Sequence, residues 1–275
     1  MKTITKLTAV ALTLFASSAF AGKGGSNQLI QDAVRSGSVD AIIAEVERTE
    51  GLMCESCITT VTPLLEDSRY QVREVAAWWF GKRPDLARQM AVVMTSDLAN
   101  GDSIHVRNAA DFLGTIKVYK SLPALRSAMT RGGLDSEAKL ALVRAAGTMA
   151  HVGGNPILVA GMADADATVR VAAVDAWRDV IHQVGVQPVE PLLADKDATV
   201  RAHAATVLGA YRDVNARPAL EQLVVSDADP FVRRNAAYAL GKIGAAASHD
   251  ALVQASADTS PIVRNVAKAA IASLK

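Results

Sequence analysis

The chain has 275 residues, with 29 lysines and arginines against 28 aspartates and glutamates, a net charge of +1. That balance excludes the basic footprint of a nucleic-acid-binding protein. Half of the residues are apolar and only 4% are aromatic, which suits thin helices packed closely together.

The first element reads as a leader. Lys2 and Lys6 form a short positive region, Leu7 to Phe15 an apolar core, and Ala19-Phe20-Ala21 an A-x-A cleavage site. This is the pattern of a secretory signal peptide, residues 1–21, with an apolar core too short to anchor in a bilayer. The competing reading is a buried N-terminal helix. Gly22, not cysteine, follows, so a lipoprotein anchor is not expected. Without Lys2 and Lys6 the balance is 27 basic to 28 acidic side chains. No later segment approaches eighteen uninterrupted apolar residues, so no further membrane span is expected. The expected location is periplasmic or secreted, where a cysteine pair is free to be oxidised.

Residues 22–56 read as a flexible start and a helical cap, with helices over Gln28 to Ser36 and Val39 to Glu50. The cap ends in "GLMCESC", which holds the two cysteines, Cys54 and Cys57. They lie at the start of the next helix, Ile58 to Glu66. Covalent haem attachment fails, because residue 58 is Ile and not His. Three uses stay open. Soft-metal binding would need more ligands than two thiolates, though Met53 is adjacent. A redox dithiol would gain from a helix N-terminus, which lowers a thiol pKa; the strand-to-helix junction of thioredoxin-like enzymes is missing. A structural disulfide is the leading reading. It would remove about 2 kcal/mol of chain entropy in the loop model and fix the bend between cap and repeats. Counted outward from a turn near residue 68, Cys57 lies across from Trp79, so the pair and "AAWWFG" are expected to cluster.

Residues 57–275 repeat. "DSRYQVREVAAWWFG" from Asp67, "DADATVRVAAVDAW" from Asp164, "DKDATVRAHAATVLG" from Asp195, "DADPFVRRNAAYALG" from Asp227 and "DTSPIVRNVAKAA" from Asp258 each read Asp, four residues, Val-Arg, then small apolar residues. "DSIHVRNAADFLG" from Asp102 is one residue shorter, and "DSEAKLALVRAAG" from Asp135 replaces Val-Arg by Ala138-Lys139. The basic residues fall at 73, 107, 139, 170, 201, 233 and 264, spaced by 31 to 34. Each copy reads as a helix pair. Asp166, Asp197 and Asp229 stand where an N-cap is wanted. Val200, Ala204 and Leu208, and Val232, Ala236 and Leu240, form helical apolar stripes. Gly209 and Gly241 read as C-terminal stops. Pro84, Pro123, Pro156, Pro188 and Pro218 mark the starts of the preceding helices, where a missing N–H costs nothing. One pair cannot bury its own apolar face, so the pairs must stack.

The pattern D-x(4)-V-R-x(2)-A-A-x(2)-L-G resembles bacterial HEAT repeats, the short type also found in phycobilisome lyase-like proteins, over roughly residues 57–275. The resemblance implies an all-α fold: a right-handed α-solenoid of about seven helix pairs behind a short cap. A lyase role is not expected, because those enzymes act inside the cell. The recurrent arginines are expected to be structural, each meeting an inter-helix turn. With the arginine as position zero, core positions −1, +3, +4 and +7 cluster on one side of the helix. The resemblance implies that +1, +2 and +5 line the concave surface. Position +5 reads Trp78, Phe112, Arg144, Asp175, Thr206, Tyr238 and Ala269. With Glu74, Asn108, His203, Arg234 and Asn235 from +1 and +2, these form the candidate binding surface. Trp78 and Phe112 are expected as stacked exposed neighbours at its aromatic end; the competing reading packs both beneath the cap.

The five histidines, at 105, 151, 182, 203 and 249, fall in different repeats, and no H-x(3)-H, G-x-S-x-G, HExxH or phosphate-binding glycine loop occurs. No cofactor is expected. The reading is a non-enzymatic exported scaffold or adaptor that binds a protein or peptide. The alternative is a periplasmic thiol-redox or metal-handling accessory protein centred on Cys54 and Cys57.

Overall fold

The aspartate of most repeats folds its own turn, while Asp102 and Asp135 cap the next helix directly, accepting the N–H of His105 and of Ala138. In the computed structural model, which describes residues 27–52, 54–182 and 185–274, Asp195 accepts the backbone N–H of Asp197 at 2.8 Å, Asp227 that of Asp229 at 2.9 Å and Asp258 that of Ser260 at 2.7 Å. Two residues on, a second aspartate caps the helix. Asp166 accepts from Thr168 N–H and Asp197 from Thr199 N–H, both at 2.8 Å, and Asp229 from Phe231 N–H at 2.7 Å. All three are the N-caps that the pattern predicts. Each of the five marked prolines stands in the first turn of its helix. The expected leader and Met53 lie outside the described residues.

The chain divides into two compact units, residues 1–149 and 150–275. In the first, α1 (Asn27–Ser36) and α2 (Val39–Arg48) form the cap, and α3 (Glu55–Val61) runs into a 3-10 turn, Thr62–Glu66. Then come α4 (Tyr70–Gly81), α5 (Pro84–Asn100), α6 (Ser103–Thr115), α7 (Leu122–Thr130) and α8 (Ser136–Met149). The second helices of the three pairs, α4, α6 and α8, pack side by side, and α2 lies against α4. The second unit holds four pairs. They are α9 (Asn155–Met162) with α10 (Ala167–Arg178), a 3-10 helix (Gln187–Ala194) with α11 (Ala198–Ala210), α12 (Arg217–Ser226) with α13 (Pro230–Ile243), and α14 (His249–Ala255) with α15 (Pro261–Ile271). Here α10, α11, α13 and α15 follow one another side by side. The 3-10 form of Gln187–Ala194 has a local cause: Pro191 inside it removes a backbone donor that an α-helix would use. Among the described residues there is no β-strand.

The arginines tie each repeat to the next. In the second unit Arg170 donates Nε and Nη2 to Asp195 at 2.8 and 2.7 Å, and Nη1 to the carbonyls of Asp164 and Ala165. Arg201 does the same to Asp227 and its own turn, and Arg233 to Asp258. A planar fork suits this double task. In the first unit Asp67 is held from within its own turn by Arg69, which also reaches the Gly37 carbonyl in the cap.

Gly209 and Gly241 are not helix stops. Both lie inside their helices, at the closest approach of neighbouring second helices. A Cβ at Gly209 would sit 2.6 Å from Ala239 Cα, and one at Gly241 2.9 Å from Ala270 Cβ. The stop comes three residues later, at a residue in the left-handed region: Arg212 (φ 52°) after Gly209 and Gly244 (φ 74°) after Gly241, as Lys117 (φ 54°) follows Gly114. Arg212 N–H reaches Gly209 C=O and Asp213 N–H reaches Leu208 C=O, the paired bonds of a Schellman end.

Candidate protein-binding face

In the first unit α4 presents Tyr70, Glu74, Trp78 and Lys82 at four-residue intervals, so one helical stripe carries all four. Tyr70 donates its hydroxyl to Glu74 Oε1 at 2.8 Å. Burial and then the Glu74 carboxylate hold that hydroxyl above the usual phenol range. Trp78 is half-buried, with Lys82 Nζ 5.0 Å from its ring centre, and Lys82 also pairs with Glu50. From α8, Arg144 lies 4.1 Å above the Tyr70 ring and gives Nε and Nη2 to Asp111 Oδ1 at 2.9 and 2.6 Å. The other Asp111 oxygen takes Nε and Nη2 of Arg73. One buried carboxylate on α6 thus holds arginines from α4 and α8.

Arg107 leaves the pattern of the other arginines. The carbonyls of Ala99 and Gly101, in the turn before it, are taken by Arg131 at 2.6 and 2.7 Å. Arg107 turns instead to Asn108 Oδ1. Burial, and then the Arg73 charge beside it, lower its pKa.

Two predicted surface residues are interior. Phe112 is 1% exposed, and Asn108 is also buried. The reason is lateral packing. The helical wheel counted the partner within each pair and omitted the neighbouring second helices. With α4 on one side and α8 on the other, α6 is enclosed, and Asn108 through Gly114 are all buried. The Phe112 ring meets the Phe80 ring edge-on at 6.2 Å, and Phe80 meets Trp79 at 5.3 Å. Trp78 and Phe112 are therefore not neighbours on one surface. Trp79 does turn inward, fully buried, and donates its indole N–H to Thr49 Oγ1 at 2.9 Å. Arg83 stacks 3.5 Å from the Trp79 ring and donates to the carbonyls of Thr49 and Leu52, clamping the turn that leads to the cysteines.

Cys54 and Cys57 form a disulfide at the N-terminus of α3, with both residues buried. Among the described residues no group of three or more His, Cys, Asp or Glu side chains is placed to hold a metal ion.

In the second unit α13 presents Arg234, Tyr238 and Lys242. They occupy the same repeat positions as Glu74, Trp78 and Lys82 of α4. Tyr238 is 44% exposed, and Lys242 Nζ lies 5.3 Å from its ring centre. His203 on α11 puts Nδ1 2.7 Å from Asp175 Oδ1 on α10, and Asn235 donates to the Ala202 carbonyl. The predicted site residues thus fall into two groups. Glu74, Trp78 and Arg144 share a face with Tyr70 and Lys82 in the first unit; His203, Arg234 and Tyr238 lie in the second. Tyr70, Lys82, Asp111 and Lys242 escaped the sequence reading. Asp111 had a signal: position +4 is Ala77, Val143, Val174, Ala205 and Ala237 in the other repeats before the last, which carries Lys268, so a carboxylate inside the array breaks a core register.

Helix pairs closed by an Asp-Arg ladder, with a half-exposed stripe on the second helix, build a HEAT-type repeat fold. Residues 186–272 match the family of HEAT repeats, and the all-helical architecture agrees with it. No curated protein matches this chain. Among solved structures it is similar to YibA of E. coli, with 14% identity, a TM-score of 0.58, and 100% of this chain and 97% of that one covered. It is also similar to Kap95p, in a structure of Kap95p bound to RanGDP, with 11% identity, a TM-score of 0.61, and 98% and 40% covered. An engineered protein gives 18% identity, a TM-score of 0.54, and 97% and 78% covered. At these identities the likeness is one of fold.

Proposed function

We propose that this protein is an exported, non-enzymatic adaptor that binds a protein or peptide along the exposed face of its second helices. The observation that carries this reading is the recurrence of one stripe. An aromatic ring with a lysine over its face occurs at the same two repeat positions in α4 and α13. Trp and Tyr are enriched among the residues that anchor protein interfaces. A fold of this type serves that use in Kap95p, which binds RanGDP. The buried disulfide fits a structural role better than thiol exchange, which needs an accessible sulfur.

A photoreactive amino acid placed at position 78, at 238, or at Val92 on α5, which is 73% exposed, tests the face. Cross-links to a common species from 78 and 238, absent from 92, are expected in envelope extract. Equal capture at 92, or none at 78 and 238, overturns the reading. Export is tested separately, by whether the protein recovered from the cell envelope begins at Gly22.

A further inference from the structure

A cavity of about 410 Å³ opens in the second unit between α13, α15 and the turn after α11. Its size falls within the roughly 300–1,000 Å³ of small-ligand sites. Arg212, Tyr238 and Lys242 supply its polar wall, and Val266, Ala269 and Ala270 its apolar wall. Among the described residues, no acidic side chain lines it. Nor, among those residues, does any ion pair take Arg212 or Lys242; Lys196, Arg234, Arg264 and Lys268 of the unit are likewise without a carboxylate, but none of these lines the cavity. Two cations without such counter-charges thus face an aromatic ring and an apolar floor.

We infer that this cavity binds a carboxylate carried on an apolar or aromatic body. The carboxylate sits between Arg212 and Lys242, where a planar fork and an ammonium both donate charge-assisted hydrogen bonds. The body lies against Tyr238, with Val266 and Ala269 beneath it. The same chemistry can come from a free small acid or from the C-terminal carboxylate of a polypeptide ending in an apolar residue. The site shares Tyr238 and Lys242 with the proposed protein-binding face but does not need that face to be right.

Arg212 makes the test clean. It sits at φ 52°, where the next repeat has Gly244 at φ 74°. Arg212→Gly therefore removes a pocket cation at a position where glycine is the less strained residue. The experiment is calorimetric titration of the full mature protein with N-acetylphenylalanine, with its amide, and with the hexapeptide Ala-Ala-Ala-Ala-Ala-Phe as free acid and as amide. The free acids are expected to bind, with each amide at least about tenfold weaker, as for a lost hydrogen bond to a charged group. Arg212→Gly and Lys242→Met should each weaken the acids by a similar factor, and the melting temperature of Arg212→Gly should hold or rise. A free peptide tighter than N-acetylphenylalanine assigns the site to chain ends; equal affinity assigns it to small acids. The inference is overturned if acid and amide bind alike, if neither acid binds at millimolar concentration, or if Arg212→Gly leaves affinity unchanged. Cross-linking at 238 without acid binding would leave the adaptor reading standing and remove this one.

Discussion

Arg73 on α4 and Asp111 on α6 are joined through one carboxylate oxygen, at 2.9 and 2.7 Å, with both side chains almost fully buried. A buried charge stripped of its partner is costly. Asp111→Leu should therefore destabilise the protein by about 3–5 kcal/mol. Arg201→Ala breaks a more exposed rung and should cost less, about 1.5–3 kcal/mol, without loss of partner binding where the protein stays folded. Urea unfolding of both variants reads the difference. Equal costs would mean that burial does not set the strength of the rungs.

Gly209→Ala reverses an ordinary sign. In the middle of an exposed helix this change stabilises by about 1 kcal/mol. Here the new Cβ would meet Ala239 Cα at 2.6 Å, and backbone cannot swing aside as a side chain can. Overpacking of this kind costs about 1–3 kcal/mol. Thermal melts should show a lower midpoint for Gly209→Ala. A higher midpoint would show that α11 and α13 part easily.

The three aromatics should behave differently. Trp79→Ala and Phe112→Ala remove fully buried rings and should each cost about 3–5 kcal/mol. Trp78→Ala should change stability little. If Trp78 is an anchor, it should weaken partner binding roughly thirtyfold, the equivalent of about 2 kcal/mol. A melting curve and a binding titration for each variant suffice. A Trp78→Ala protein with unchanged affinity would remove the first unit's stripe from the interface.

Stability should fall steeply in acid. Hydrogen bonds from Arg69 and Arg233 lower the pKa of Asp67 and Asp258. For Asp195 and Asp227 burial is the largest influence and pushes upward, but the bonds from Arg170 and Arg201, the N–H bonds of Asp197 and Asp229 and the neighbouring positive charges together outweigh it, and the net shift is down. A carboxylate with a lowered folded pKa contributes stability above its unfolded value, about 3.9, and loses it as pH falls through the folded value. Glu66, raised chiefly by burial, acts in the opposite sense. Urea midpoints should be nearly level from pH 7 to 5 and drop below about pH 4. A drop centred near pH 6 would point to a histidine instead.

The helices, their caps and the order of the pairs were legible from sequence because their causes are local. An aspartate that caps its own helix, a proline in a first turn and a Val-Ala-Leu stripe need only their chain neighbours. The inward turn of Trp79 was legible for a similar reason, since it follows from counting across one hairpin.

What only the tertiary structure decided lies between second helices of neighbouring repeats. The sequence shows Phe112 at a position that a wheel places outside, and Gly209 where a helix commonly ends. Both assignments fail because each second helix has neighbours on two further sides, which a single-helix projection omits. Lateral packing buries Phe112 against Phe80, and close approach to Ala239 explains Gly209. The same contacts draw Arg73 and Arg144 onto Asp111 across 38 and 33 residues of chain. They also bring Arg212 into the cavity beside Tyr238 and Lys242. Pairings over such separations depend on how the repeats stack, which a repeat period does not contain.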